Sequence, residues 1–274
     1  MTERILTAVI LIPLVIFISW VGNLPFFIMI VSITLVAQWE FYEIAQKSVK
    51  ISPKKGLSLF TGFLILLSTY LRTPRMLLSS QKGIPAFVLT MTIALILFSH
   101  LLSKNIRYFL ESFGVSLAGI FMIPWFASYI ILLRDIHPCG INYFFFLLFG
   151  VWIVDTFAFL FGTKFGKKKL ARIISPKKTI VGAVAGFFGG IIFAFAWQFF
   201  SKLDFLKTKD LLIMGFIIGV FGQIGDLIES MVKRAGVVKD SGSIFPGHGG
   251  AYDRIDSLIF AAPFLYYYIV FFIR

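Results

Sequence analysis

The chain has 274 residues, of which 58% are hydrophobic and only 14% charged, and its mean hydropathy is +0.91. A soluble domain carries about a quarter charged residues, so this composition excludes a soluble globular enzyme and describes an all-α, polytopic integral membrane protein. The net charge of +13 comes with no soluble basic domain that would dock on a duplex, which argues against nucleic acid as a partner. It reflects cationic cytoplasmic loops and their attraction to anionic head groups, with a few cations left over for the phosphates of a substrate. The 34 phenylalanines suit lipid-facing helices, and the single cysteine, Cys139, rules out an intrachain disulfide.

A helix needs about 20 apolar residues to cross the hydrocarbon core. By that measure about nine transmembrane helices follow one another, near 4–22, 24–45, 57–71, 84–102, 113–133, 141–162, 180–200, 211–228 and 256–273. The first apolar run, Ile5 to Val21, lacks a small-residue cleavage site and leads straight into a second span, so it is expected to be retained. Gly22-Asn23-Leu24-Pro25 leaves room for a tight turn only. The third run is short, and either crosses with little tilt or is partly re-entrant. No repeat or flexible linker divides the chain. N-terminal transmembrane helices over 1–140 and a catalytic transmembrane region over 141–274 are therefore expected to form one continuous membrane domain.

Orientation follows from Lys and Arg. With the N-terminus cytoplasmic, the inner side collects Arg4, the Lys47–Lys55 loop, Lys104, Arg107 and two long loops, about 163–179 and 229–255. These hold most of the 26 basic residues, although the loop with Arg72, Arg75 and Lys82 runs against the pattern. The two chemically rich loops then face the compartment that holds nucleoside triphosphates.

Asp155, in Val154-Asp155-Thr156, is a carboxylate inside a span, and intramembrane ionisable residues usually face a cavity and act there. The 163–179 loop carries seven basic residues and ends in Ser175-Pro176-Lys177-Lys178-Thr179, just before a new span. Ser175 and Pro176 read as a helix N-cap and first-turn pair, and a helix start with Lys178 beside it is also an anion site. Lys164, Lys167, Lys168, Lys169 and Arg172 read as a cluster facing lipid head groups.

Asp226 ends an apolar span that contains Gly215, Gly219, Gly222 and Gly225. The glycines read as close helix packing, and Asp226 as functional. Glu229 follows nearly one turn later on roughly the same face, either as a ligand or as a helix-end carboxylate, and Ser230 at the i+4 position offers a hydroxyl to a metal or phosphate oxygen. Beyond them stand Lys233, Arg234, Lys239 and Asp240, then Pro246-Gly-His248-Gly249-Gly250 and Asp253-Arg254-Ile-Asp256. Small residues around His248 expose backbone N–H groups as phosphate-cradling loops do; His248 itself reads as a metal ligand, a phosphate donor or a loop strut. Asp253 and Asp256, three apart, share a helix face, either as metal ligands or as complements to the helix dipole. Fixed carboxylates interleaved with Lys and Arg are what a metal ion and a polyphosphate require together.

The run from Ser230 to Asp256 resembles the signature of the phosphatidate cytidylyltransferase family at its Ser, Lys-Arg, Lys-Asp, Pro-x-His-Gly-Gly and Asp-Arg-x-Asp positions. The resemblance extends upstream to Asp155-Thr156-x-Ala158-Phe159-x-x-Gly162, Gly166-Lys-Lys-Lys-Leu170 and Ser175-Pro176-x-Lys178-Thr179. It departs at Ala251, where the family carries a larger aliphatic residue. It departs again at Ile180-Val181-Gly182, where an aromatic, a Glu and a Gly are usual. The resemblance implies transfer of CMP from CTP to phosphatidate, dependence on Mg²⁺ with a second metal ion compatible, and a homodimer in the bacterial inner membrane with its active site facing the cytoplasm. It assigns Asp226, Asp253 and Asp256 to metal, and Lys233, Arg234, Lys239 and Lys178 to phosphates. Asp240, His248 and Arg254 join the catalytic set, while Asp155, Ser175, Thr179, Ser230, Gly249 and Gly250 contact substrate. Two rival functions use similar residues: a CTP-dependent polyprenol or phytol kinase, and a transporter, which would be expected to show repeat symmetry.

Overall fold

The computed structural model describes residues 2–49, 53–72, 84–102, 107–201, 203–245 and 249–273. Its helices are α1 (Thr2–Val21), α2 (Asn23–Val49), α3 (Lys55–Leu71), α4 (Ile84–Leu101), α5 (Phe109–Ile120), α6 (Phe126–Arg134), α7 (Gly140–Phe165), α8 (Ile180–Phe200), α9 (Thr208–Ala235) and α10 (Tyr252–Tyr268). Each expected apolar run is helical. Among the described residues, six helical stretches are long and apolar enough to cross a membrane: Asn23–Ser48, Phe109–Arg134, Gly140–Phe165, Ile180–Phe200, Thr208–Ala235 and Tyr252–Ile273. Val9–Val21, Lys55–Leu71 and Ala86–Leu101 are apolar but shorter. The loop carrying Arg75 and Lys82 lies outside the described residues, as does Lys104.

The all-α expectation holds, with a short hairpin where a helix start was expected. Strands β1 (Lys169–Ala171) and β2 (Ser175–Thr179) pair antiparallel, with Lys169 opposite Thr179 and Ala171 opposite Ser175. Ser175 and Pro176 therefore lie in an extended strand and do not start α8. Thr179 does: it sits at φ −123, ψ 154, and its hydroxyl oxygen accepts from Gly182 N at 3.1 Å. Backbone pairing between the strands satisfies groups that a basic loop would otherwise leave to solvent. The helix begins only where a β-branched capping residue meets the apolar run.

The chain divides into two compact units. One comprises Met1–Leu132 with Val232–Arg254, the other Leu133–Met231 with Ile255–Arg274. The division passes through α9 and α10. In the first unit, α2, α3 and α5 meet around buried polar groups that are in part hydrogen-bonded to one another. Tyr42, fully buried, donates to Ser116 O at 2.8 Å, and Gln38 Nε2 donates to Ser58 O at 3.0 Å. Buried Ile65, Ile96 and Ile120 form an apolar cluster beside them. A π-helical segment, Phe121–Trp125, joins α5 to α6 and contains Pro124, which has no N–H to donate.

In the second unit, helices approach at glycines. A Cβ on Gly190 would lie 2.9 Å from Gly215 O, and one on Gly219 would lie 3.1 Å from the Phe187 backbone. The packing role read for Gly215 and Gly219 is thus what the structure contains.

Candidate active site

Asp226 and Glu229 stand three residues apart on α9, so they share one face, with Ser230 a turn beyond Asp226. Glycine at 225 brings α10 against that face. A Cβ there would fall 2.7 Å from both Asp256 O and Phe260 Cβ, so any other residue pushes the helices apart. The result is a cluster in which one carboxylate oxygen from each of Asp226, Glu229 and Asp256 lies within 4.8 Å of the other two. Glu229 is 1% exposed. Asp256 Oδ1 accepts from Ser257 N at 2.6 Å, and Ser230 Oγ lies 3.5 Å from Asp226 Oδ1, at the edge of hydrogen bonding.

The hairpin supplies the counter-charge. Successive strand residues face opposite ways, and in β2 Lys177 is exposed while Lys178 is half-buried and Thr179 buried. Lys178 Nζ lies 2.5 Å from Asp226 Oδ2. Three ionised carboxylates at this spacing repel by roughly 3–4 kcal/mol per pair at an effective dielectric of about 20, before solvent screening. One lysine offsets part of that repulsion, and a divalent cation suits the remainder. The donor set is all oxygen, as Mg²⁺ prefers.

The first unit holds a second polar set. Asp253 Oδ1 accepts from Lys233 Nζ at 2.6 Å. Its Oδ2 accepts from Ser241 N at 2.8 Å, Ser241 Oγ at 2.9 Å and Gly250 N at 2.9 Å. Both Asp253 oxygens are thus engaged by protein donors, whereas the sequence reading gave them to a metal. The local reason is that Asp253 falls in the first turn of α10, where loop N–H groups and Lys233 reach it.

Glu40 of α2 enters the same set. It accepts from Ala251 N at 3.0 Å, Tyr252 N at 2.9 Å and Ser241 Oγ at 2.8 Å. Gly249 has φ +82, a left-handed conformation that favours glycine, and pairs with Phe245 across a short bridge.

Other expected site residues are positioned less closely. Arg234 Nη1 donates to Val238 O at 3.2 Å, closing the end of α9, and its side chain is exposed. Lys239, Asp240 and Arg254 are exposed; Asp155, although exposed on α7, is the exception, since it stands near enough to Asp256 to interact with its charge. Ser175 is half-buried in β2, and Thr179 is committed to its capping bond. His248 lies outside the described residues.

Sequence reasoning left Glu229 open between ligand and helix-end carboxylate, and missed Glu40 and Ser241. Glu40 carried a usable signal, since it is an acidic residue inside the long apolar helix Asn23–Ser48. Ser241 carried none.

A model of the Cytidylyltransferase family matches residues 2–272. The phosphatidate cytidylyltransferase of Bacillus subtilis (strain 168) is 36% identical over 273 residues, covering 99% of this chain and 98% of that protein. The phosphatidate cytidylyltransferase of Staphylococcus haemolyticus is 39% identical over 168 residues, 60% of this chain and 61% of its own length. That of Staphylococcus aureus (strain COL) is 45% identical over 126 residues, 46% of this chain and 48% of its own.

Proposed function

This chain belongs to the Cytidylyltransferase family, and we propose that it transfers CMP from CTP to phosphatidate, yielding CDP-diacylglycerol and pyrophosphate. The observation that carries the reading is the group Asp226, Glu229 and Asp256 with Lys178 beside it, on a chain matched along nearly its whole length. A phosphate oxygen of phosphatidate attacks the α-phosphorus of CTP. The bond from that phosphorus to the bridging β-oxygen breaks, and pyrophosphate takes the electron pair. The nucleophile is already anionic, so the reaction needs alignment and charge neutralisation more than a strong base.

Asp226, Glu229 and Asp256 would hold Mg²⁺, which supplies neutralisation of the triphosphate when bound. Lys178, held by Asp226, can turn to a phosphate oxygen without leaving the site. The family resemblance gives Lys233, Arg234 and Lys239 to phosphates as well. Asp253 fixes Lys233 and the ends of the loop between Ser241 and Gly250, and is not assigned to the ion.

Counting the three shorter apolar helices as spans gives nine in all, with the N-terminus in the cytoplasm. The loops about 163–179 and 229–255 then face CTP from the cytoplasmic side of a bacterial inner membrane. Purified protein in detergent is expected to move cytosine label from CTP into lipid, with release of pyrophosphate, and to stop on chelation. Sealed inverted vesicles should consume added CTP without detergent, and consumption by right-side-out vesicles alone would reverse the orientation. Lipid labelled from the γ-phosphate and not from cytosine would establish a kinase instead.

A further inference from the structure

We propose that Glu40 is a positioning residue for CMP transfer, holding the start of α10 and the Asp253–Lys233 pair in register from a helix some two hundred residues away. The proposal rests on the cytidylyltransferase reading and deepens it.

Glu40 is 5% exposed on α2. A carboxylate buried at a span is costly unless its lone pairs are taken. Here both oxygens are used. Oε1 accepts from Ala251 N at 3.0 Å, and Oε2 accepts from Tyr252 N at 2.9 Å and Ser241 Oγ at 2.8 Å. Ala251 and Tyr252 form the entry to α10, where the first N–H groups have no partner inside the helix. A negative charge there also complements the helix dipole. Glu40 thus caps α10 from outside, a task usually given to the preceding residue, which here is Ala251 and has no polar side chain.

The fit is close on two sides. A Cβ on Gly242 or on Gly250 would collide with the Glu40 carboxylate, so both ends of the loop pass directly against it. Ser241 then extends the link. Its Oγ lies 2.8 Å from Glu40 Oε2 and 2.9 Å from Asp253 Oδ2, so its single proton goes to one carboxylate at a time while the oxygen stays within reach of the other. Asp253 in turn holds Lys233 at 2.6 Å. Glu40, Ser241, Asp253 and Lys233 form one connected chain of polar contacts.

An amide cannot replace this carboxylate. Gln at position 40 keeps one acceptor oxygen but turns an NH₂ group toward an N–H donor or the Ser241 hydroxyl. Outer partners of this kind cost about 10–100-fold when removed.

The test is steady-state kinetics on purified full-length protein with CTP and phosphatidate, counting only monodisperse protein. Glu40→Gln is expected to lower kcat at least about 10-fold, with KM for both substrates within about threefold of wild type. Gln38→Met removes a buried polar group from the same helix, one that bonds to Ser58 O and not to the loop. It is expected to lower thermal stability and leave kcat unchanged, which separates positioning from general support of α2. Should Glu40→Gln not be recovered folded, Ser241→Ala carries the test, since it removes the hydroxyl between Glu40 and Asp253 and leaves the Ala251, Tyr252 and Ser241 N–Asp253 bonds; its kcat is expected to fall about tenfold or more. The proposal is overturned if the folded Glu40 variant, or Ser241→Ala in its place, keeps kcat within twofold of an active wild type. It is also overturned if Gln38→Met lowers kcat as much. Wild-type protein that transfers no CMP would overturn the proposed function itself, an outcome distinct from all of these.

Discussion

Asp226→Asn and Asp256→Asn are each expected to lower CMP transfer by at least about 100-fold, the scale on which preorganised electrostatic partners act, while the protein still inserts and elutes as wild type does. Asn keeps the size and one acceptor oxygen but removes the charge that binds a divalent ion. The effect follows from the geometry, because each residue gives one of three oxygens gathered within 4.8 Å. Asp226 also pairs with Lys178, so its neutral variant releases that lysine as well. Raised Mg²⁺ or Mn²⁺ should restore part of the activity by mass action. Asp253→Asn should lose activity too, since Lys233 and Ser241 depend on it, but extra divalent ion should not restore it. Retention of most activity by Asp226→Asn and Asp256→Asn at ordinary Mg²⁺ would make them helix-end carboxylates and nothing more.

Gly225→Ala is expected to be nearly as damaging although it touches no charge. The added Cβ would sit 2.7 Å from Asp256 O and from Phe260 Cβ, and one of those atoms is backbone that cannot rotate away. Overpacking of this kind costs about 1–3 kcal/mol. The larger effect is displacement of α10 relative to α9, and a misplacement of about 1 Å costs on the order of 100-fold in rate. Gly114→Ala is the matched control. Nothing lies within 4 Å of its Cβ position in α5, and alanine favours a helix, so activity should stay at the wild-type level. Equal activity in the two variants would mean that the α9–α10 approach does not govern the site.

Much of the architecture was legible because hydrophobic length is a strong signal, and each apolar run became a helix. The hairpin at Lys169–Thr179 was not. Ser175-Pro176 carries the chemistry of a helix start, yet the same pair fits an edge strand, and local sequence does not choose between them. What decides is Thr179, whose hydroxyl accepts from Gly182 N and whose strand partner is Lys169. Without that strand, Lys178 would not be aimed at Asp226.

Within the site, Asp226 and Asp256 were readable as charges placed against an apolar background. Helical spacing also joined Asp253 to Asp256, but spacing assigns a face and not a partner. Loop N–H groups and Lys233 claimed Asp253, while Glu229 joined the other two. Glu40 shows the limit most clearly. Its charge inside a span was visible, but its partners lie 201 to 212 positions away, and no periodicity reports a contact at that separation.

In the proposed reading Asp226, Glu229 and Asp256 form the divalent-ion site, and Asp253 serves elsewhere. Titration of substrate-free protein with Mn²⁺, followed by electron paramagnetic resonance, tests it without relying on turnover. Wild type is expected to show a saturable site, Glu229→Gln to weaken it at least about tenfold, equivalent to about 1.4 kcal/mol, and Asp253→Asn to bind as wild type does. Unchanged Mn²⁺ affinity in Glu229→Gln together with loss of the site in Asp253→Asn would contradict the account.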